Sequence, residues 1–293
     1  MRPSWWLSSV VLTSICASCA SPLTPPDVDR SHGSFLANTL AERERKPARV
    51  EPTKTAPHAT FLSPFGQTLP AAAGEFDELT LGGRSLRYWT FGTGHETVLL
   101  LGGIHGDERS SAEAAYDFIA ELERHPAVLA DRRVVIAPEV NPDGIADRTR
   151  RNDRGVDLNR NYPADNWRHA DPARQHWPGS GPSSEAETRF VLMLLREFPP
   201  SRVVSTHAAA ACVNWDGPAR ALADCMSDEC GLPTRASIGY PTPGSLGSYL
   251  GLDRSIPTIT LDLAHKDSVA SALPAIRRAL FAAVRYPEPG LSK

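Results

Sequence analysis

The sequence predicts an α/β fold with a largely parallel or mixed sheet, and three observations carry that reading. Short continuous apolar runs, Thr97 to Leu101 and Arg133 to Ala137, have the length and branching of strands buried on both faces. Stretches with helical apolar spacing stand between such runs, beginning with Ser111 to Leu122. Glycine pairs and Asn-Pro-Asp-Gly punctuate the junctions. Strands that alternate with helices in one chain favour one α/β domain.

Taken in order, Leu79 to Leu81 and Ser85 to Phe91 are expected to form a hairpin around Gly82-Gly83. Thr97 to Leu101 is expected as a central strand, and Ser111 to Leu122 as a helix with Ala115, Phe118, Ile119 and Leu122 inward. A helix from Glu185 to Phe198 would open at Ser184, with acids early and Arg196 late, as capping and the helix dipole favour. Arg202 to Thr206 and Thr258 to Leu263 read as strands, and Leu273 to Val284 as a final helix. No internal repeat is seen.

The N-terminus reads as an export signal over residues 1–20. Met1-Arg2 is followed by an apolar run, Trp5 to Ile15, too short for an ordinary spanning helix. Two cleavage readings compete. Ser18-Cys19-Ala20 has the small residues of a signal-peptidase site, whereas Ala17-Ser18-Cys19 has the form of a lipobox that would make Cys19 a lipid anchor. The expected location is therefore outside the cytoplasm, periplasmic or membrane-anchored. Residues 21–72 hold eight of the chain's 26 prolines and only three aromatics, so they are expected as a flexible linker. The globular domain is placed at 73–288.

Of 293 residues, 41% are hydrophobic and 22% charged, and the net charge is −3 with both signs interspersed. That balance gives no polybasic face for nucleic acid, and leaves a peptide, a small molecule or a protein as partner. Signal cleavage leaves Cys212, Cys225 and Cys230, hence at most one internal disulfide and a free thiol. Cys212 reads as a small buried hydrophobe.

Chemistry concentrates in two places. His105-Gly106-Asp107-Glu108 directly follows the Thr97 to Leu101 strand, at the strand end where open α/β sheets place ligands. A His and a Glu three apart can converge on one cation, and flanking glycines permit the turn. Catalytic zinc takes three protein ligands. The third candidates are His207, which ends one strand beside Ala208 to Ala211, and His265, which follows another. His169 and His176 lie in a Trp-containing polar loop and read as surface residues, as do Asp107 and Arg109 flanking the metal motif. The second place is Asn141-Pro142-Asp143-Gly144, Arg150, and Asp157-Leu158-Asn159-Arg160-Asn161. Arg and Asn donors in that density can grip a carboxylate.

In this order and spacing, together with Ser205-Thr206-His207, these motifs resemble the zinc carboxypeptidase family from about Val98 to Leu263. The resemblance implies a three-layer α/β/α fold around a central mixed, largely parallel sheet, and one zinc ion per chain held by His105, Glu108 and His207. It implies that Arg150 polarises the scissile carbonyl, that Asn159 and Arg160 bind a substrate carboxylate, and that Tyr240 is the mobile substrate-binding tyrosine. Cys212-Val213-Asn214-Trp215-Asp216-Gly217-Pro218, the Gly239 to Gly247 segment and Thr149-Arg150-Arg151-Asn152 further resemble the murein peptide amidases. These imply a muropeptide substrate cut between γ-D-glutamate and diaminopimelate.

The family's catalytic glutamate is replaced. Asp262 stands at its place, and the sole later glutamate is Glu288 in the tail. Aspartate keeps the acid–base chemistry but withdraws the carboxylate by roughly 1 Å, which can cost about 10²-fold in rate. The alternatives are a general metallocarboxypeptidase, a deacylase sharing the H-x-x-E pattern, and a catalytically impaired, zinc-containing protein that binds cell-wall peptides.

Overall fold

The computed structural model describes residues 60–287. The signal segment 1–20, Cys19 and the linker as far as residue 59 lie outside the described residues, as does Glu288.

The main sheet runs in the order β3 (Gly74–Glu75), β4 (Arg87–Phe91), β6 (Arg132–Ala137), β5 (Glu96–Leu101), β7 (Arg202–Ala208), β10 (Thr258–Leu263), β8 (Cys212–Asp216) and β9 (Thr234–Arg235). Its centre, β6-β5-β7-β10, is parallel. Antiparallel β4 and β8 flank that centre, and β9 lies parallel to β8. The sheet is mixed with a parallel heart.

Period-two alternation divides each central strand between two cores. Leu100, Val134, Ile136, Val204, Ile259 and Leu261 face α1 (Arg109–Arg124), α4 (Arg220–Cys230) and α5 (Leu273–Arg285), where Phe118, Leu222 and Leu280 meet them. Leu99, Leu101, Val135, Ala137 and Val203 face the other way, onto Phe190, Val191 and Leu194 of α3 (Ala186–Glu197). Helices cover both faces, so the three-layer α/β/α arrangement holds. A short helix, α2 (Pro142–Asp147), follows β6.

Several elements differ from expectation. The linker was drawn to residue 72, but β1 (Thr60–Leu62) and β2 (Thr68–Pro70) form an antiparallel hairpin. Leu69 is buried in the helical-face core, the Phe61 ring meets Trp89 at 5.2 Å, and the Trp89 indole donates to the Pro70 carbonyl at 2.9 Å. Two of the three aromatics that looked too few for a fold are its anchors. Leu79 to Leu81 is not a strand: Thr80 closes a turn with Gly83 and Arg84, and Leu79 and Leu81 are 55% and 57% exposed. The partner of β4 is β3 instead. Ser184 does not cap α3; Glu185 holds that position, and the Ser184 hydroxyl donates to the Glu185 carboxylate at 2.7 Å. Strand β8 and helix α4 were not anticipated. The helix signal was present in Leu222, Ala223 and Met226 on one buried stripe, closed by Gly231 at φ 74°.

Candidate metal centre and substrate cleft

Three strand ends converge on one cleft. His105 and Glu108 stand on the loop between β5 and α1, His207 is in β7, and Asp262 lies beside His207 in register on β10. The loop is fixed before any ligand enters. Gly103 adopts φ 60°, which frees its amide to reach the Ser111 hydroxyl at 3.1 Å, and that hydroxyl donates to the Glu108 carbonyl at 2.7 Å. Gly106 packs so closely on the backbone of Gly144 that a Cβ would lie 1.9 Å from it. The Asn141-Pro-Asp-Gly turn therefore supports the loop. The Asn141 side chain accepts the Gly144 amide at 2.9 Å, and buried Asp143 pairs with Arg84 at 2.7 Å.

His105, Glu108 and His207 are buried, and one ligand atom from each lies within 4.8 Å of the others. His105 Nδ1 is 2.9 Å from Glu108 Oε1, and His207 Nδ1 is 3.0 Å from Glu108 Oε2 and 3.2 Å from His105 Nδ1. Two imidazole nitrogens that face each other at that distance cannot both carry protons inward. Two neutral nitrogens and one carboxylate, converging with their lone pairs, are the donor set of catalytic zinc. The residues fit the ion. Burial would raise the Glu108 pKa, but the two imidazoles hold it well below the usual carboxylate range.

A second carboxylate organises the surroundings. Asp157, fully buried, takes His105 Nε2 at 3.1 Å, Arg150 Nε at 3.1 Å, His176 Nδ1 at 2.8 Å and the Asn159 amide at 3.1 Å. Burial pushes its pKa up, yet His105, His176 and Arg150 together hold it well below normal. Such a partner fixes the tautomer and orientation of a ligating His. Arg150 also reaches Glu108 Oε1 at 3.3 Å.

His105, Glu108, Arg150, Asn159, Arg160, His207, Tyr240 and Asp262 all line one cleft of about 400 Å³. The Asn159 side-chain oxygen accepts the Leu246 amide at 2.9 Å, which leaves its NH2 group without a partner among the described residues. Arg160 is buried and donates to the Asn159 carbonyl at 2.6 Å. Burial lowers its pKa against the opposing pull of Asp157 and Tyr240. Asp262 is buried, and its carboxylate accepts the Ala210 amide at 2.5 Å. Burial raises its pKa, opposed by His207.

Of the two rivals for the third ligand, the structure brings His207 to the cluster and leaves His265 exposed outside the cleft. His169 is exposed as expected. His176 is likewise exposed as expected, and its ring also bonds to buried Asp157. Asp107 pairs with Lys266, and Arg109 donates to the Ile145 carbonyl at 3.3 Å. Cys212 is buried, and all three described cysteines are free thiols. Sequence reasoning missed Asp157 and His176. The available signal was Asp157's place in the Asp-Leu-Asn-Arg-Asn motif, two positions before the clamp residue Asn159.

Comparison with known proteins agrees with this geometry. The family described as zinc carboxypeptidase matches residues 79–224. Murein peptide amidase A of Escherichia coli K12 is 36% identical over 183 residues, covering 57% of this chain and 71% of that protein. The crystal structure of murein-tripeptide amidase from Escherichia coli O157 superposes with a TM-score of 0.59 at 29% identity, over 72% of this chain and 91% of that one. Carboxypeptidase A from Helicoverpa armigera shares the fold at a TM-score of 0.60 and 16% identity, over 72% and 68% of the two chains.

Proposed function

We propose, from the premise that this chain belongs to the zinc carboxypeptidase family and is a hydrolase, that it cuts the amide bond between γ-D-glutamate and diaminopimelate in peptidoglycan peptides. The observation that carries the reading is the convergence of His105, Glu108 and His207 in the same cleft as the Arg150, Asn159 and Arg160 donors. One zinc ion per chain would be held by the three ligands.

Each residue has a task that follows from its place. The unpartnered NH2 of Asn159 and the guanidinium of Arg160 hold the free carboxylate of the leaving residue, and so set which bond reaches the metal ligands. Zinc at this site supplies Lewis-acid polarisation of the scissile carbonyl and acidifies water. Arg150, held by Asp157 and Glu108, places positive charge where the carbonyl oxygen gains negative charge. Asp262 accepts a proton from the attacking water and returns it to the departing amine. Its raised pKa suits both halves of that transfer. Tyr240 forms a wall of the cleft over the bound peptide.

Residues 1–20 direct the chain out of the cytoplasm, and Cys19 is the lipid attachment point where cleavage follows the lipobox and not the Ser18-Cys19-Ala20 site. The peptide substrate is met in the periplasm or at the membrane surface. The full chain fused to an exported-only reporter, with and without residues 1–20, tests this: activity only with the segment supports export, and equal activity refutes it.

A second reading rests on Asp262. Its short carboxylate is bound to the Ala210 amide, which would suit a zinc-containing protein that retains wall peptides without cutting them. Comparing hydrolysis of L-Ala-γ-D-Glu-diaminopimelate with an α-linked C-terminal peptide separates the readings. Preference for the γ-linked substrate by more than about tenfold in kcat/KM supports the proposal, preference for the α-linked one points to a general carboxypeptidase, and cleavage of neither with zinc bound supports the second reading.

A further inference from the structure

We infer that His176 is a positioning residue that ties the loop carrying Tyr240 to the buried Asp157 beneath the metal ligands. The assignment rests on the hydrolase reading of the cleft.

The loop needs such a tie. Between Arg235 at the end of β9 and Thr242, no backbone group receives a hydrogen bond from outside the loop among the described residues. Gly239 bonds to Ser237 within the loop, and the next link outward is the Gly244 amide to Asn166 at 2.9 Å. Tyr240 is 50% exposed, so burial does little to hold it. Its ring lies over His176, with centroids 6.3 Å apart and planes 21° from parallel, an offset stack.

His176 is fixed from the other side. Its Nδ1–H donates to Asp157 Oδ2 at 2.8 Å, which sets the plane of the ring. Its neighbour Trp177 supplies the carbonyl that accepts the Asp157 amide at 2.9 Å, and Trp177 in turn donates to Arg174. The backbone at 176 is thus held by bonds that do not involve the imidazole. The side chain is 42% exposed, so its removal costs the fold little. What it supplies is a rigid face at the rim, in addition to the link between the Tyr240 side chain and Arg160. Asp157 also holds His105, Arg150 and the Asn159 amide, so the resting place of Tyr240 is set by the same carboxylate that orders the rest of the cleft.

The test uses the zinc-loaded full chain with His176→Ala, His176→Asn, Tyr240→Ala and the His176→Ala/Tyr240→Ala pair. Asparagine keeps a donor toward Asp157 and removes the ring. Amide hydrogen exchange of Gly239, the loop amide held by Ser237, should quicken by about two- to tenfold in both His176 variants, the scale expected of one lost aromatic stack. With the γ-D-Glu-diaminopimelate tripeptide, KM should rise about fivefold while kcat moves less than about twofold. The double variant should be no worse than Tyr240→Ala alone. Unchanged exchange in the His176 variants would overturn the inference. So would effects that multiply in the double variant, or a fall in kcat with loss of zinc, which would place His176 in service of His105. Exchange is read without substrate, so it decides the matter even if the tripeptide proves to be the wrong substrate.

Discussion

Asp262 and His207 are register partners on adjacent parallel strands, and the Ala210 amide holds the Asp262 carboxylate in the cleft wall. If that carboxylate moves the proton, Asp262→Ala lowers kcat by about 10²–10⁴-fold while zinc content stays at the wild-type level. Equal loss of zinc and activity would instead make Asp262 a structural neighbour of His207. Asp157 gives a separate prediction. Asp157→Asn weakens the orientation of His105, and zinc affinity, followed by competition with a chelator, should fall about 10–100-fold. The residues that could be named from the chain alone are those with fixed local grammar: His105 and Glu108 three apart, Asn159 and Arg160 adjacent. Asp157 was hidden because its partners His105 and His176 lie 52 and 19 positions away, and only folding brings them together. His176 was hidden for the converse reason, since an exposed His in a polar loop looks like any other.

Among elements, the first turn of α3 holds an unusual charge. Glu187 is buried with Glu185 and Asn152, whose amide reaches both carboxylates at 2.9 and 3.2 Å. Burial pushes the Glu187 pKa up to about 7, from 4.5 when exposed. The folded chain therefore keeps a proton that the unfolded chain releases. Its contribution to stability is complete below about 4.5 and disappears as pH rises through about 7, worth roughly 3 kcal/mol. Glu187→Gln should flatten the stability profile over that window and raise the melting temperature at pH 8; an unchanged profile would refute it. The β1–β2 hairpin gives the second prediction at this scale. Leu69→Ala should cost about 2–3 kcal/mol in denaturant unfolding, because Leu69 is buried in the same core cluster as Trp89. A chain begun at residue 73 should melt well below one begun at 60. Strands buried on both faces were legible as apolar runs, whereas the hairpin was not. It is two three-residue strands amid prolines, and its stability comes from Phe61, Phe65 and Leu69 meeting residues far along the chain.

In the molecule as a whole, a parallel heart of four strands points its carboxyl ends toward one cleft, and the ligand loop, His207 and Asp262 all arise from those ends. That much followed from strand–helix alternation and from where the motifs fall within it. Antiparallel β8 did not follow, because Cys212–Asp216 is short, and its place beside β10 depends on the turn through Ala208 to Ala211. Yet β8 completes the cleft, to which it contributes Asn214 and Asp216. The measurement that tests the central claim most directly is release of free diaminopimelate from L-Ala-γ-D-Glu-diaminopimelate by the zinc-loaded chain, followed by mass spectrometry. The account predicts release that stops on chelation, returns with zinc, and is lost in Asp262→Ala. Intact tripeptide after prolonged incubation, with zinc bound at His105, Glu108 and His207, would contradict it.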